Sequence, residues 1–182
     1  MLAEILWLDD QRPENNTKIA TIQVAIPRGT LCINEIHASP VGGTAEYVEV
    51  VNSSAYAVPL TGCWITDRPL SSGSVNRWPV SKAPRLLRPG ELHVVAGDSA
   101  VVWWTGGNSG VCTVVNSTGL GLNNEGDLLI LQGPDGSTLD SVPYASSWHS
   151  PNISDPAGRS LEKYSPQLAG TEPHNWGTCV HP

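Results

Sequence analysis

Apolar and polar side chains alternate with a period of two over short stretches of the chain from Leu31 onward. In Glu46–Asn52, with the sequence EYVEVVN, the side chains of Tyr47, Glu49 and Val51 fall on one side and two valines fall on the other. This period, carried by β-branched and aromatic residues, predicts a β-strand. Proline and glycine separate the stretches, as is typical of turns. No long segment has the period of a helix.

The same pattern predicts a series of short strands that are joined by turns. They are expected near residues 31–37, 46–52, 62–67, 75–80, 91–97, 111–116, 127–132, 137–143 and 159–164. A spacing of roughly ten to fifteen residues between strands is typical of an antiparallel β-sandwich. Between two apolar runs, the sequence GPDG (Gly133–Gly136) predicts a hairpin turn, and NNEG (Asn123–Gly126) predicts a further turn.

Residues 1–30 stand apart from this series. Side chains alternate once more between Ile19 and Ile26, which predicts one strand there, and Pro27–Gly29 predicts a hinge or a tight turn. A single strand is too little for a domain. We therefore divide the chain into an N-terminal strand with its linker, residues 1–30, and a main domain, residues 31–182.

The order of short motifs along the main domain resembles one protein family. The motifs INEI (Ile33–Ile36), EYVEVVN and LTGCWITD (Leu60–Asp67) are followed by RLLRPGELHVVAGDSA, GLGLNNEGDLLIL, PDGSTLDSVPY, GRSLEKYSP and NWGTCV. This order resembles the lamin tail domain, which occurs at the end of nuclear lamins and in many secreted bacterial proteins. The resemblance implies an all-β, immunoglobulin-like antiparallel β-sandwich of the lamin tail type. Such a family is a module and does not by itself define an activity.

The N-terminal segment has a resemblance of its own. The sequence RPENNT (Arg12–Thr17) and the strand after it resemble the end of the immunoglobulin-like repeats that often precede such modules in bacterial surface proteins. The alternative is that residues 1–30 add an edge strand to the sandwich itself. In bacterial relatives the chain continues beyond the closing motif into a linker. We therefore expect this sequence to be a module of a longer protein.

The charge of the chain limits its partners. Its formal net charge is −7, which argues against binding to nucleic acid or to an anionic membrane, because both depend on Lys and Arg. Four basic residues fall in one loop-like stretch: Arg77, Lys82, Arg85 and Arg88. This patch is too short to outweigh the acidic charge, and we expect it to be a solvated loop.

Targeting signals are equally sparse. No run reaches the roughly 18 apolar residues that a membrane-spanning helix needs. Glu4 and Asp9–Asp10 fall where a signal peptide would have its cationic and apolar regions. If Met1 is the native start, this predicts a cytoplasmic protein. As part of a longer chain of the bacterial kind, the module is expected outside the cell or at its surface.

The four cysteines do not have the spacing of a metal site. Cys32, Cys63, Cys112 and Cys179 form neither a C-x-x-C nor a Cys/His pattern, so zinc is not expected. Cys32 and Cys63 lie in predicted strands and fit the role of small buried hydrophobic residues. Disulfides are the open alternative, with three pairings available. Among these we favour Cys32 with Cys179, which would tie the first strand of the domain to its last segment.

Acidic residues in the organising motif are candidates for metal binding. Glu35, Glu49 and Asp67 could supply oxygen ligands to calcium, which binds six to eight of them. No loop, however, places Asp or Asn at alternate positions before a closing Glu. The favoured interpretation is structural, with Glu35 and Glu49 accepting hydrogen bonds from the backbone or pairing with arginine. No other cofactor is expected.

Catalytic motifs are absent from the sequence. There is no GxSxG, no HEXXH and no glycine-rich nucleotide loop, and the five histidines are scattered. His93 follows Leu92 on a predicted strand and is expected to face solvent. We predict no catalytic residue and expect the chain not to be an enzyme.

Tryptophan supplies much of the aromatic content, with seven Trp and no Phe. Trp64 and Trp78 are expected in the core or at its edge. Trp103 and Trp104 are adjacent and cannot both point inward from an extended segment, and Trp148 lies in a predicted loop. Exposed tryptophan can stack on sugars or anchor a protein partner, so these last three are candidate ligand-binding residues. The alternative is that they cap an open end of the sandwich.

Pattern and resemblance together predict a non-catalytic interaction or spacer module of a larger bacterial cell-surface or secreted protein. Its loops would contact a protein or glycan partner. Two alternatives stay open. One is an accessory domain that binds the substrate or glycan of a secreted hydrolase. The other is a structural subunit of an extracellular assembly, which donates its N-terminal strand to the sheet edge of a neighbour.

Overall fold

The described part of the chain is built from short β-strands that follow the alternating pattern. A computed structural model describes residues 2–4, 17–19, 25–42, 44–68, 73–99, 101, 111–115 and 119–179. The strands are β1 (Leu2–Glu4), β2 (Thr17–Ile19), β3 (Leu31–His37), β4 (Tyr47–Asn52), β5 (Val58–Pro59), β6 (Trp64–Thr66), β7 (Arg77–Pro79), β8 (Leu86–Leu87), β9 (Leu92–Ala96), β10 (Cys112–Val114), β11 (Leu129–Gln132), β12 (Thr138–Val142), β13 (Leu161–Lys163) and β14 (Trp176–Thr178). Short 3-10 helices span Ser146–Trp148 and Pro173–Asn175.

Two large sheets make up the sandwich. One has six strands in the order β10-β9-β4-β3-β13-β14, and the other has four in the order β12-β11-β6-β7. Neighbouring strands within them are antiparallel except β9 and β10, which run parallel. Two-stranded sheets join β1 to β2 and β5 to β8. The predicted all-β, immunoglobulin-like sandwich is therefore confirmed.

The space between the two large sheets holds the main core. Ile33 and Val50, paired across β3 and β4, point inward from the six-stranded sheet, and Ile65 and Leu131, paired across β6 and β11, point inward from the other. All four are fully buried. Full burial of one such side chain stabilises a fold by about 1.5–3 kcal/mol, so these pairs contribute strongly to holding the layers together.

The outer face of the six-stranded sheet carries a second apolar cluster. Ala45, Tyr47, Val94, Ala96 and Val101 are buried there, with Cys112 packed against them. Because β4 and β9 are covered on both faces, they read YVEVVN and LHVVA, with apolar residues on both sides. The inner and outer faces of these strands thus differ little in hydrophobicity.

Several predicted turns are confirmed. Gly136 donates its backbone N–H to the carbonyl of Gly133, and Gly126 donates to that of Asn123. Thr30 donates in the same way to Pro27 at 3.2 Å, so Pro27–Gly29 forms a tight turn. No helix among the described residues has the length and apolar character needed to cross a membrane.

The N-terminal strand differs from its prediction. Strand β2 ends at Ile19, and residues 25–27 are not in a strand; residues 20–24 lie outside the described residues. The predicted strand from Ile19 to Ile26 is wrong at its C-terminal end, because the chain turns at Pro27 and Ile26 packs into the main core. The division of the chain at residue 30 stays a prediction.

Candidate functional site

A polar slot opens in the side of the sandwich, between the segment that follows β7 and the edge strand β10. Its volume is about 360 Å³. We call it the side slot; its lining residues are Ser81, Lys82, Ala83, Pro84, Arg85, His93, Cys112, Thr113 and Val114. The two strands that flank it are the edges of different sheets. The slot thus lies where the two layers of the sandwich are not closed against each other.

His93 reaches the slot from the inner face of β9. It pairs with Val50 and lies two residues before the core residue Val95, so both its cross-strand partner and its strand neighbour face the core. The residue is 2% exposed. Its Nε2 lies 2.9 Å from Oγ1 of Thr113, whereas its Nδ1 makes no hydrogen bond of good geometry among the described residues. The expectation that His93 faces solvent is wrong, because β9 is buried on both faces.

Burial keeps the His93 imidazole neutral. Desolvation, with a smaller contribution from the charge of Arg85, lowers the pKa of His93 from 6.5 to about 4, and a hydrogen bond from the ring to the Val80 carbonyl opposes the shift. A neutral imidazole has one donor and one acceptor nitrogen. If Nε2 accepts from the Thr113 hydroxyl, Nδ1 carries the proton, and its acceptor is either the Val80 carbonyl or a group inside the slot.

Two cationic side chains line the other wall. Lys82 donates from Nζ to the carbonyls of Val114 at 2.6 Å and Val115 at 3.2 Å, so it satisfies carbonyls at the free edge of β10. Arg85 is half-buried, and its Nε is buried without a hydrogen-bond partner among the described residues. Within the same residues, Arg85 forms no ion pair. The predicted solvated loop therefore holds two residues that line a cavity.

The side slot has the chemistry of an anion site. Within the described part of the chain, its lining contains two cations, two hydroxyls and a neutral imidazole, and no carboxylate. Charge-assisted hydrogen bonds from Arg and Lys are among the strong ones in proteins. Cys112 offers little as a nucleophile, because burial raises the pKa of its thiol and the thiolate is the reactive form.

A row of carboxylates crosses the outer face of the six-stranded sheet. Glu162 of β13 pairs with Glu35 of β3, and Glu35 pairs with Glu49 of β4. Glu35 accepts hydrogen bonds from the hydroxyls of Tyr47, at 2.7 Å, and Ser160. Glu49 accepts from the side-chain amide of Asn34 at 2.9 Å. Both carboxylates thus have partners within the fold, but these are hydroxyl and amide side chains, where the sequence analysis expected backbone groups or arginine.

Burial and neighbouring charges shift the pKa of Glu49. Burial, together with the hydrogen bond from Asn34, which opposes the shift, and the charges of Glu35 and Glu162, raises the pKa of Glu49 to about 7. Like charges on neighbouring strands disfavour ionisation. The carboxyl group is therefore partly protonated near neutral pH.

The predicted calcium ligands do not meet. Glu35 and Glu49 are cross-strand neighbours, but Asp67 follows β6 in the other sheet. Asp67 accepts instead from the backbone and side-chain nitrogens of Asn76, at 2.9 and 2.5 Å. Among the described residues, no three His, Cys, Asp or Glu side chains are placed to hold a metal ion. A shared calcium site of these three residues is wrong, because the sandwich separates them.

The candidate tryptophans have different outcomes. Trp103 and Trp104 lie outside the described residues, so their role in ligand binding stays a prediction. Trp148 is half-buried and packs against the main core, with its ring 6.1 Å from that of Trp176 at an angle of 37°. This packing favours the alternative that Trp148 caps the sandwich; a role in binding is untested.

The favoured disulfide is wrong. All four cysteines are described, and no disulfide joins any two of them. Cys32 lies near the start of β3, while Cys179 follows Thr178, which is aligned through Leu161 with Ile36 near the end of β3. The two thus lie near opposite ends of one strand and on strands that are not neighbours, too far apart for a bridge. Cys32 is buried, as expected of a small hydrophobic residue.

The side slot is the feature that sequence analysis missed. Four basic residues within Arg77–Arg88 of an acidic chain were the available signal, together with the period that places His93 on the same side as Val95. Neither signal reveals which strand edge this segment faces. That depends on the pairing of β9 with β10, which local pattern does not encode.

Comparison with known proteins agrees with the fold. No curated protein matches the chain. A family model described as the lamin tail domain matches residues 25–146, about two thirds of the chain. The resemblance found in the sequence motifs is thereby confirmed, and β13 and β14 extend the same sheet beyond the matched region. The chain belongs to the lamin tail domain family.

Proposed function

We propose that this domain is a non-catalytic interaction module of a larger bacterial cell-surface or secreted protein. The observation that carries the proposal is the use of the acidic motif residues within the fold. Glu35 accepts from Tyr47 and Ser160, and Asp67 accepts from Asn76. Lamin tail domains are immunoglobulin-like and typically non-enzymatic, which supports the same conclusion.

The choice between an interaction role and a spacer role rests on the side slot. A spacer needs only a stable sandwich, and it gains nothing from the buried Nδ1 of His93 and Nε of Arg85, which make no hydrogen bond of good geometry among the described residues. Such groups are costly when they are left unsatisfied. Buried polar groups that converge on a cavity are typical of a binding site, so the slot favours interaction.

Domain replacement in the parent protein tests the proposal. Residues 25–179 would be exchanged for an unrelated immunoglobulin-like sandwich of similar length, and surface display and adhesion to the natural ligand would be measured. We expect display to survive and adhesion to be lost. Unchanged adhesion would indicate a spacer, and failure of surface antibodies to reach the domain would contradict the extracellular location. Substrate turnover by the isolated chain would contradict a non-catalytic role.

A further inference from the structure

We propose that the side slot binds the carboxylate group of a small organic acid, with Arg85, Lys82 and His93 as the residues that hold it. This deepens the interaction role proposed above and rests on it. The ligand would enter between the segment after β7 and the edge strand β10. Nothing in the lamin tail family match assigns a ligand to this place.

Two buried nitrogens provide the first argument. His93 is 2% exposed and lines the slot, and its buried Nδ1 makes no hydrogen bond of good geometry among the described residues, although the Val80 carbonyl lies near the ring. Nε of Arg85, another lining residue, is in the same state. Buried polar atoms in native proteins almost always have a hydrogen-bond partner. Two such atoms on one cavity favour a bound group as their partner, since no described residue bonds to them with good geometry.

The sign of the charge provides the second argument. Arg85 and Lys82 are lining residues, and none of the described residues that line the slot is acidic, although the whole chain has a net charge of −7. The amino group of Lys82 bonds to two carbonyls, which leaves one of its three donors for a ligand. A cationic slot in an acidic protein selects a small anion.

Arg85 also borders an adjacent cavity of about 460 Å³ on the outer face, which includes Glu49 and Glu91 among its lining residues. These carboxylates are the competing partners for its guanidinium. Neither pairs with it: among the described residues Glu91 pairs with Arg88, and Glu49 accepts from Asn34. The guanidinium of Arg85 thus keeps donors that neither carboxylate takes.

Carboxylate fits the slot better than phosphate. The planar guanidinium of Arg85 can hold a carboxylate through two parallel hydrogen bonds, as it can a phosphate, and Nδ1 of His93 can add a third donor. The preference rests on the backbone: phosphate sites typically add a helix N-terminus or a nest of backbone N–H groups, and no helix of the described residues contributes to the lining. A volume of about 360 Å³ lies at the small end of ligand pockets. It suits a single sugar acid or a molecule of similar size.

The test is an NMR titration of the full chain with sodium acetate, glucuronate, glucose and inorganic phosphate at constant ionic strength. We expect acetate and glucuronate to shift the His93 imidazole and Thr113 amide signals with saturation, and glucose to shift neither. Phosphate should bind more weakly than glucuronate. No saturable shift with either carboxylate, or tighter binding of phosphate, would overturn the assignment.

Matched arginine variants make the test specific. Arg85→Gln should weaken glucuronate binding at least tenfold, whereas Arg88→Gln, whose side chain is 80% exposed, should leave it unchanged. Lys82→Met, at an exposed position, provides a second variant if Arg85→Gln fails to fold, and it should weaken binding several-fold. Equal effects of Arg85→Gln and Arg88→Gln, or no effect of Lys82→Met, would overturn the assignment.

The outcome is separable from that of the domain replacement. If the replacement abolishes adhesion but no carboxylate binds to the slot, the interaction role holds and the ligand assignment falls. If carboxylates bind but adhesion survives replacement, the assignment of a ligand to the slot holds and the proposed role as an interaction module falls.

Discussion

Lys163 is the most deeply buried cation among the described residues, with a side chain that is 0% exposed. Its Nζ lies 3.2 Å from Oδ2 of Asp140, which also accepts the backbone N–H of Ile33 at 2.9 Å. The pair joins β12 of one sheet to β13 of the other, and the ammonium lies 5.5 Å from the ring centre of Trp176. A buried lysine is tolerated only when it is paired, so this contact fixes how the sheets face each other.

A substitution of Lys163 tests how much the buried ion pair contributes to stability. Lys163→Met should lower the free energy of unfolding by about 3–5 kcal/mol, because it leaves the Asp140 carboxylate buried without its counter-charge. Urea denaturation measures the change. Arg88→Met, which breaks the exposed pair with Glu91 at 3.7 Å, is the control and should cost under about 1 kcal/mol. Similar losses in both variants would contradict this account of the buried pair.

His93 makes stability depend on pH. Between pH 6.5 and about 4, the unfolded chain binds a proton at this histidine and the folded chain does not, because burial lowers the pKa of His93. Stability should therefore fall as pH falls through this window. Compared with the wild type, His93→Gln should show a shallower loss in urea denaturation over the same range. His174→Gln, at an exposed position, controls for the loss of a histidine. If His93→Gln and His174→Gln changed the dependence of stability on pH equally, His93 would be excluded as the source of that dependence.

At the scale of elements, the central strands of the six-stranded sheet bring three carboxylates into line. Glu162, Glu35 and Glu49 belong to β13, β3 and β4 and are neighbours because the register of these strands aligns them. Like charges directly opposite one another destabilise a sheet. Hydrogen bonds from Tyr47 and Ser160 offset this for Glu35, whereas Glu49 responds through its pKa.

Glu49 should give a pH dependence opposite in sign to that of His93. Its pKa is raised from 4.5 to about 7, so between these values the folded chain holds a proton that the unfolded chain has lost. Stability contributed by this group therefore falls as pH rises from 4.5 to about 7. Glu49→Gln should be more stable than wild type above pH 7, with the difference vanishing below pH 4.5, in urea denaturation at each pH.

Glu162→Gln separates burial from charge repulsion at Glu49. Removing the outer charge of the row should lower the pKa of Glu49, measured from its side-chain signals by NMR, without changing its burial. No movement of that pKa would mean that burial alone sets it. If the stability of Glu49→Gln depended on pH in the same way as that of the wild type, the contribution of Glu49 to the pH dependence would be contradicted.

Strand positions could be predicted because burial on alternate sides leaves a periodic trace. The expectation of 31–37 for β3 is met in full, and 46–52 for β4 is met within one residue. Strands β5 and β8 were missed because two residues are too few to show a period, and β5 contains Pro59. The parallel pairing of β10 with β9 was also missed, since it depends on the connection between them and not on the strands themselves.

At the scale of the whole molecule, the side slot could not be predicted. Lys82, His93 and Thr113 are up to 31 positions apart in the sequence, and they meet only because the two sheets leave one side open. Sequence analysis assigned Lys82 to a solvated loop and His93 to a solvent-facing side, since local pattern cannot tell which face of a doubly covered strand is inner. The cluster of four basic residues distinguished the segment Arg77–Arg88 in the sequence, but it did not indicate which strand edge this segment packs against.

The extent of the domain is a further property of the whole molecule. Ile26 is 7% exposed in the main core, and Gly29 donates its backbone N–H to Leu139 of β12 at 2.9 Å. The family match likewise begins at residue 25. Packing of the sandwich therefore starts before Leu31, the first residue of the main domain as divided from the sequence.

Two truncated chains test where the stably folded domain begins. A chain beginning at residue 25 should unfold cooperatively in urea, whereas one beginning at residue 31 should be less stable by roughly 2 kcal/mol or more, because it loses the buried Ile26 side chain and the Pro27–Thr30 turn. Ile26→Ala in the full chain isolates the side chain from the turn and should account for most of that difference. Equal midpoints for the two truncated chains would place the boundary at residue 30, as the sequence pattern suggests. If the chain beginning at residue 31 lost stability but Ile26→Ala did not, the lost stability would be assigned to the backbone hydrogen bond between Gly29 and Leu139 instead.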